Sequence, residues 1–186
     1  MKRYVAMTKL VDDIKSFAAR DFPQDEIGAY LSETLVEPAS LESYLSYCED
    51  RYTRHLVHKE KAFELLVICW GSGQKAPIHG HEGELCWARV ERGQLRFANY
   101  HLVSQEPVRL ERIDEPVDGG AGFLDGPAEI HSVENPTDFG TNAASLHLYS
   151  KPYSECDIYD SENGPRRRVQ LAYDTVHGVA VERTGQ

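Results

Sequence analysis

The chain has 186 residues, 41% of them hydrophobic, and carries a formal net charge of −10 at pH 7. This length and composition favour one globular domain over residues 1–186, with a sizeable core. The acidic balance argues against nucleic acid and anionic membrane surfaces as partners. No apolar stretch is long enough to span a bilayer or to serve as a secretory segment, so a cytoplasmic protein is expected. The protein is also predicted to be a monomer.

Four cysteines are scattered along the chain without CxxC spacing, and they are Cys48, Cys69, Cys86 and Cys156. This spacing disfavours both a disulfide framework and a zinc–thiolate site. Reduced thiols are therefore expected, in agreement with a cytoplasmic protein.

Residues 1–50 are predicted to form a small group of helices. An apolar stripe with helical spacing runs through residues 10–18, and Pro23 precedes a second short candidate. Ser40 is the expected N-cap of a third helix, which carries apolar residues between positions 41 and 48. Helices this short need a surface to pack against, because they are marginal alone.

Residues 51–186 predict a β-barrel. Short segments rich in strand-forming residues recur between turns, and they lie at 63–70, 85–91, 94–103, 108–113, 144–150 and 169–173. The triplet Arg166–Arg168 is expected to be an exposed turn that leads into the last of these strands. Many short strands with regular turns are typical of a sandwich or barrel. The expected fold class is therefore mainly β, with the N-terminal helices packed on the barrel.

Three histidines are the strongest functional signal. His79 and His81 are separated by one residue, so their side chains point to the same side of a strand. His131, in another predicted strand, offers a third imidazole. Three neutral histidines can hold a metal ion with coordination positions left open, although iron, zinc, copper and nickel all accept imidazole. Histidines without a partner at ligand spacing are expected to be ordinary polar residues, and they are His58, His101 and His177.

The segment 73–93 resembles the first cupin motif, with two glycines and two histidines at the family's spacing. Cys86 occupies the position where that motif has an acidic ligand. His131 and Asn135 resemble the second cupin motif. This resemblance implies a cupin-type barrel whose metal is held without a carboxylate.

A closer resemblance is to cysteine dioxygenase, in the thiol dioxygenase family of the cupins. The strings that carry it are Tyr52-Thr-Arg54, Ile68-Cys-Trp-Gly71, Pro77-Ile-His79, His131-Ser-Val-Glu-Asn135 and Ser145-Leu-His-Leu-Tyr-Ser150. They occur in the family's order over roughly the last two-thirds of the chain. The resemblance implies a mononuclear Fe(II) enzyme that oxidises free L-cysteine to cysteine sulfinate with O2.

The chemistry of the residues agrees with that family. Three neutral imidazoles leave Fe(II) with its full double charge, which an anionic thiolate substrate would compensate. Sulfur supplies the electrons, so no organic cofactor or external reductant is required.

The resemblance also assigns substrate-binding residues. Arg54 would hold the substrate carboxylate with its planar fork, and Tyr52 would face the same way. Cys156 matches a family cysteine near the pocket. His55 and His58, which are close to Arg54 in sequence, are expected at the surface.

Ser145, His147 and Tyr149 alternate along one strand and therefore share a face. They could form a hydrogen-bonded row from hydroxyl to imidazole to phenol, in which His147 orients Tyr149. The resemblance implies that Tyr149 lies near the iron and forms a thioether cross-link with Cys86.

The sequence departs from the family at two positions, and the second of them leaves the substrate open. Gly80 lies between two of the expected ligands, and Lys151 replaces a proline of the cysteine-selective members. The alternatives are a thiol dioxygenase that acts on 3-mercaptopropionate and a non-catalytic cupin that binds a metal as a sensor or store. A zinc or manganese cupin isomerase is disfavoured because the acidic ligand is missing.

Overall fold

Two seven-stranded sheets make up most of the computed structural model, which describes residues 2–182. The elements in chain order are β1 (Arg3–Val5), α1 (Met7–Ala18), α2 (Gln24–Glu33), β2 (Thr34–Val36), α3 (Pro38–Glu42), β3 (Thr53–Lys59), β4 (Glu64–Trp70), β5 (Lys75–Gly80), β6 (Cys86–Arg92), β7 (Gln94–Gln105), β8 (Val108–Arg112), β9 (Val117–Gly120), β10 (Leu124–Ala128), β11 (Ile130–Glu134), β12 (Ala143–Tyr149), β13 (Glu155–Tyr159), β14 (Arg166–Gln170), β15 (Thr175–Val176) and β16 (Val179–Ala180). A 3₁₀ turn spans Thr137–Phe139. The expectation of a mainly β fold with N-terminal helices is confirmed.

The first sheet has the strand order β10-β6-β12-β4-β3-β15-β16, and the second has the order β14-β13-β5-β11-β7-β8 with β9 beside β7. Consecutive strands in the sequence often lie in different sheets, as β4 and β5 do. Pairing within both sheets is antiparallel, apart from the parallel contact between β3 and β15. The β5–β11 pair, at the centre of the second sheet, positions the candidate site.

The strands β4 and β12 are buried on both faces. Leu66 and Ile68 face the barrel interior, whereas Leu65 and Val67 belong to a second apolar cluster with the N-terminal helices. Strands covered on both sides form near-continuous apolar runs instead of alternating with polar residues. Packing of the helices on the barrel therefore explains the apolar segment at 63–70.

A buried ion pair joins the helices to the barrel. Arg89 Nε lies 2.6 Å from Glu91 Oε1, and both side chains are inaccessible to solvent. Arg89 Nη1 donates to Thr34 Oγ1 at 2.8 Å and to the Leu31 carbonyl at 3.1 Å. Glu91 Oε2 accepts from the Val36 amide at 2.9 Å. These contacts fix the end of α2 and β2 against β6.

The prediction for the third helix was wrong in its start and length. Its N-cap is Glu37, followed by Pro38 at the first helical position, and the helix ends at Glu42. Pro is favoured there because its fixed φ suits the first turn and its missing N–H is not needed. Ser40 therefore lies inside the helix. No helix among residues 2–182 is long and apolar enough to cross a membrane.

Two further elements differ from the sequence prediction. A small parallel pair, β1 with β2, interrupts the helices of residues 1–50. Arg166–Arg168 belongs to β14 itself and not to a turn before it. Arg168 contacts Glu82, Glu155 and Asp157. Ion pairs along the exposed strand thus accommodate the arginines that the pattern assigned to a turn.

Candidate metal centre

Three histidines come together where β5 meets β11. His79 on β5 is the direct cross-strand partner of His131 on β11. Directly paired residues of an antiparallel ladder project from the same face. His81 follows in the turn after β5, and the two-residue spacing returns its ring to the same side. Strand register therefore brings His131 to His79 and His81, which lie about fifty residues earlier in the sequence.

The three rings are arranged as a metal site requires. One ring nitrogen of each histidine lies within 4.8 Å of the others. The ring centroids are separated by 4.7 to 5.1 Å. The Nε2 atoms of His81 and His131 are buried and have no hydrogen-bond partner in the protein. Buried polar atoms without partners are costly, so this arrangement fits a bound metal ion.

The opposite nitrogen of each ring is held by the protein. His79 Nδ1 lies 2.8 Å from the Pro77 carbonyl, His81 Nδ1 lies 3.0 Å from the Ala128 carbonyl, and His131 Nδ1 lies 2.9 Å from Asp125 Oδ2. These acceptors require a hydrogen on Nδ1. The tautomer therefore leaves Nε2 with a free lone pair for a metal.

Burial keeps two of these imidazoles neutral. Burial, with a smaller effect from His131, lowers the pKa of His79 to about 3. The same causes hold the pKa of His81 well below its ordinary value. Only the neutral ring can ligate, so both groups are in the competent state at neutral pH.

Asp125 is a residue of the site that the sequence reasoning missed. Its carboxylate accepts from His131 through Oδ2, and its Oδ1 accepts from Asn99 Nδ2 at 2.8 Å. It is 6% exposed. A negative charge therefore lies one hydrogen bond away from the metal position, although none of the three clustered ligands is acidic. Only the pairing of β11 with β7 and the course of β10 reveal this contact.

The polar row on β12 forms a directional hydrogen-bond chain. Trp70 Nε1, which can only donate, lies 2.9 Å from Ser145 Oγ. Ser145 Oγ lies 2.9 Å from His147 Nε2, and His147 Nδ1 lies 3.5 Å from the Tyr149 hydroxyl. With the His147 hydrogen on Nδ1, Ser145 donates to the imidazole and the imidazole donates to the phenol. Burial holds the pKa of His147 well below its ordinary value, so the ring is neutral.

Cys86 and Tyr149 are neighbours across two strands. They are direct partners in the antiparallel β6–β12 pair, so their side chains share the interior face. Both are almost completely buried, and burial raises the pKa of the Cys86 thiol well above its ordinary range. The Tyr149 ring lies 5.7 Å from that of His81 between centroids.

A cavity opens beside the histidines. Its wall includes Tyr52, Arg54, His79, Tyr153 and Cys156, completed by Pro77, Ile158 and the segment 169–172. Arg54 is 6% exposed, and its Nε has no hydrogen-bond partner. The cavity therefore presents a buried cation to a small anionic molecule. Arg54, Tyr52 and Cys156 are brought together as the sequence predicted.

The remaining histidines lie outside the cluster. His58 pairs with Glu60, His177 bonds to the Val57 carbonyl, and His101 is exposed. The expectation of a surface position was wrong for His55, which is 1% exposed. Its ring is enclosed by Thr175 and by the Ser46 carbonyl, both at 3.0 Å. The chain before β3 and the strand β15 cover it.

Tyr153 and Lys151 follow β12 and have opposite surroundings. The Tyr153 ring meets Tyr149 edge-on, with centroids 5.1 Å apart. No periodicity marks Tyr153, which lies in the loop before β13. Lys151 points outward, 68% exposed and 3.8 Å from Glu84. The lysine that replaces the family proline does not line the cavity.

A β-barrel with three clustered, inward-facing histidines beside a cavity that contains a buried arginine defines a metal-binding cupin. The family model described as cysteine dioxygenase type I matches residues 3–162, so the chain belongs to that family. The protein is therefore a metal-dependent thiol dioxygenase.

Curated proteins and a solved structure are also similar to this chain. Human cysteine dioxygenase type 1 is 26% identical over 166 residues, which cover 88% of this chain and 82% of the human protein. The Danio rerio protein of the same name is 26% identical over 185 residues, covering 94% and 90%. A cupin superfamily protein from Desulfitobacterium hafniense DCB-2 is 12% identical with a TM-score of 0.47, covering 62% of this chain and 92% of that one.

Proposed function

We propose that the protein oxidises L-cysteine to cysteine sulfinate with O2 and that its metal is Fe(II). The S–H bond is replaced by two S–O bonds, one proton is released, and the electrons that reduce O2 come from sulfur. The observation that carries the proposal is the cluster of three neutral histidines beside the buried cation Arg54. The relatives' name, which specifies cysteine, supports this substrate.

Fe(II) held by His79, His81 and His131 would supply open coordination positions for a thiolate and for O2. Because all three ligands are neutral, the site favours an anionic substrate atom. Asp125 moderates this preference through its hydrogen bond to His131. The donor set thus leaves the charge balance at the metal to be completed by an anionic thiolate.

Arg54 and Tyr52 are proposed to bind the substrate carboxylate. Arg54 is always charged and presents several N–H donors in one plane. Tyr52 lines the same wall and stacks on Trp70, with ring centroids 4.8 Å apart. Cys156, on the same wall, limits the length of a bound thiol acid. A carboxylate bound by Arg54 would hold the thiol close to the histidines.

Tyr149 is proposed to donate a hydrogen bond at the reaction centre. Burial raises its pKa far above neutral, so the phenol keeps its proton. Ser145 and His147 fix the phenol from the opposite side through the directional chain. Their role is to orient Tyr149 and not to contact the substrate.

A thioether between Cys86 and Tyr149 is part of the proposal. Their direct pairing across β6 and β12 supports it. Formation would break the thiol S–H and one ring C–H bond of Tyr149, and the two electrons and two protons released would reduce one O2 to hydrogen peroxide. Substitution Cys86→Ser should abolish any faster-migrating species on a denaturing gel and lower activity. Unchanged mobility together with unchanged activity would count against the cross-link.

The proposed substrate is tested by anaerobic reconstitution with Fe(II), followed by oxygen uptake with L-cysteine and with 3-mercaptopropionate. A higher kcat/KM for cysteine, with a product that gains two oxygen atoms, would support the proposal. Arg54→Gln should raise KM for cysteine about ten- to a hundredfold and leave cysteamine, which has no carboxylate, nearly unaffected.

The two remaining hypotheses correspond to the other outcomes. Preference for 3-mercaptopropionate would keep the chemistry and change the substrate, since Arg54 can bind either carboxylate. Bound iron without oxygen uptake for any thiol would favour a non-catalytic metal-binding cupin. The cytoplasmic, monomeric state and the single domain stay predictions from the sequence.

A further inference from the structure

The turn that follows His81 has an unfavourable backbone at one residue. The His81 carbonyl accepts from the Glu84 amide at 2.9 Å, which closes a turn over residues 81–84. Both central residues have positive φ, which is 59° at Glu82 and 79° at Gly83. A type I′ turn has this backbone, and its usual central pair is asparagine or aspartate followed by glycine. Gly83 suits the turn, whereas Glu82 is strained there.

An arginine on β14 holds the strained residue. Arg168 Nη1 donates to Glu82 Oε1 at 2.6 Å, and Arg168 Nη2 donates to Glu82 Oε2 at 2.6 Å. Two parallel bonds between a guanidinium and a carboxylate fix the orientation of the pair as well as its distance. Arg168 also lies 3.1 Å from Glu155 and 3.4 Å from Asp157, which are both on β13. Glu82 is therefore anchored to a network and not to one mobile side chain.

This anchor is one residue away from the metal centre. His81 lies just beyond β5, which ends at Gly80, so the strand ladder does not fix its backbone. The hydrogen bond from His81 Nδ1 to the Ala128 carbonyl orients the ring but not the chain that carries it. The turn 81–84 therefore decides where the unpartnered Nε2 of His81 lies relative to the other two histidines.

We infer that Arg168 is a positioning residue for the metal ligand His81, because its ion pair with Glu82 holds the turn after His81 in place. A turn that is already ordered presents the imidazole without a further loss of entropy when the metal binds, which raises affinity. The inference rests on the Fe(II) site of the proposed function. The alternative is an ordinary surface ion pair without effect on the metal, since the Arg168 side chain is 42% exposed.

The test is the Fe(II) affinity of full-length variants, measured anaerobically by competition with a chelator and without any thiol. Arg168→Gln removes the charged fork and leaves Glu82 strained, so the dissociation constant for Fe(II) should rise about three- to tenfold. Glu82→Gln should give a similar loss. The matched control is Arg167→Gln, because Arg167 is the adjacent residue of β14 and pairs with Asp160 instead. The control should retain the wild-type affinity.

Glu82→Asn separates the anchoring of the turn from the charge of the ion pair. It also removes the pair, but asparagine tolerates positive φ and forms with Gly83 the Asn-Gly pair that type I′ turns favour. Its Fe(II) affinity should stay within about twofold of the wild type, because this turn needs no anchor. The double variant Glu82→Asn/Arg168→Gln should for the same reason recover the affinity that Arg168→Gln loses.

Ionic strength provides a second measurement on the same proteins. Salt screens exposed ion pairs, so raising sodium chloride from about 0.05 M to about 0.5 M should weaken Fe(II) binding more in the wild type than in Arg168→Gln. Glu82→Asn should resemble Arg168→Gln in this respect, since neither variant has the pair. Equal melting temperatures of the metal-free proteins would show that the differences arise at the site and not from unfolding.

The outcomes separate this inference from the proposed function. Wild-type affinity in both Arg168→Gln and Glu82→Gln would overturn the inference and leave an ordinary surface ion pair. Equal losses in Glu82→Asn and Glu82→Gln would also overturn it, in favour of a direct effect of charge on the metal. Oxygen uptake is measured separately. If the wild type binds Fe(II) but consumes no oxygen with any thiol, the proposed function fails, and the affinities still decide whether Arg168 positions His81.

Discussion

Two buried polar clusters of this barrel differ in where their hydrogen-bonding atoms point. At the junction with the helices, Arg89 Nε and Nη1 and both carboxylate oxygens of Glu91 meet each other or neighbouring protein groups, and Arg89 Nη2 alone of these side-chain atoms has no partner. At the metal centre, His81 and His131 direct Nε2 at a point where the protein offers no partner. Burial is equally complete in both places. Partner geometry, and not burial, therefore distinguishes a cluster that holds the fold from one that binds a ligand.

The largest expected effect comes from removing one of the three histidines of the metal centre. His81→Ala should lower iron content to background and reduce oxygen uptake about a thousandfold, since a bound metal supplies several kcal/mol of catalysis. Added Fe(II) should raise the melting temperature of the wild type but not of the variant. His101→Ala, at an exposed position, is the control. If His81→Ala retained its metal, the unpartnered Nε2 atom of His81 would not mark a metal ligand.

The next effect is on stability and concerns the buried ion pair of Arg89 and Glu91. Arg89→Met leaves Glu91 buried without its partner, so the free energy of unfolding should fall by about 3–5 kcal/mol. Urea denaturation measures this loss. The double variant Arg89→Met/Glu91→Leu should recover most of it, because no unpaired charge remains. A loss below about 1 kcal/mol in the single variant would mean that the pair does not stabilise the junction.

Asp125 connects the two cases. Both of its carboxylate oxygens have hydrogen-bond partners, and one of these partners is His131 of the metal centre. Asp125→Asn keeps the shape but removes the negative charge behind His131. Affinity for Fe(II) should fall about ten- to a hundredfold, as it does when the hydrogen-bond partner of a ligand is lost. Competition with a chelator measures the affinity. Asp118→Asn, an exposed carboxylate paired with Arg96, should leave it unchanged.

The smallest effect concerns the cavity wall. Burial raises the pKa of Cys156 to about 11, so its thiol is almost entirely protonated at pH 8. Alkylation by iodoacetamide should therefore be slow and should accelerate about tenfold per pH unit up to that value, because only the thiolate reacts. Peptide mapping follows the rate, with Cys156→Ser as the blank. A rate independent of pH between 7 and 9 would contradict a neutral thiol.

Local spacing predicted most of the fold and the core of the candidate site. A two-residue spacing predicts that side chains share one face of a strand. It applies to His79 and His81, and to Ser145, His147 and Tyr149. Long apolar runs such as 63–70 identified central strands. The start of α3 was missed because Pro38 occupies its first position, before the Ser40 that the pattern selected. The start of β14 was missed because three consecutive arginines are typical of an exposed turn, whereas here ion pairs hold them in a strand.

The sequence by itself determined which chemical groups form the site and which of them share a strand face. Residue types are read directly from a motif, and backbone geometry fixes the two-residue period of a strand. Only the tertiary structure decided which distant groups meet. The pairing of His131 with His79, the carboxylate of Asp125 behind His131, and the burial of His55 depend on strand register and on loops that cover them. Tyr153 belongs to this second class, since its contact with Tyr149 arises where a loop without periodicity folds back onto the barrel.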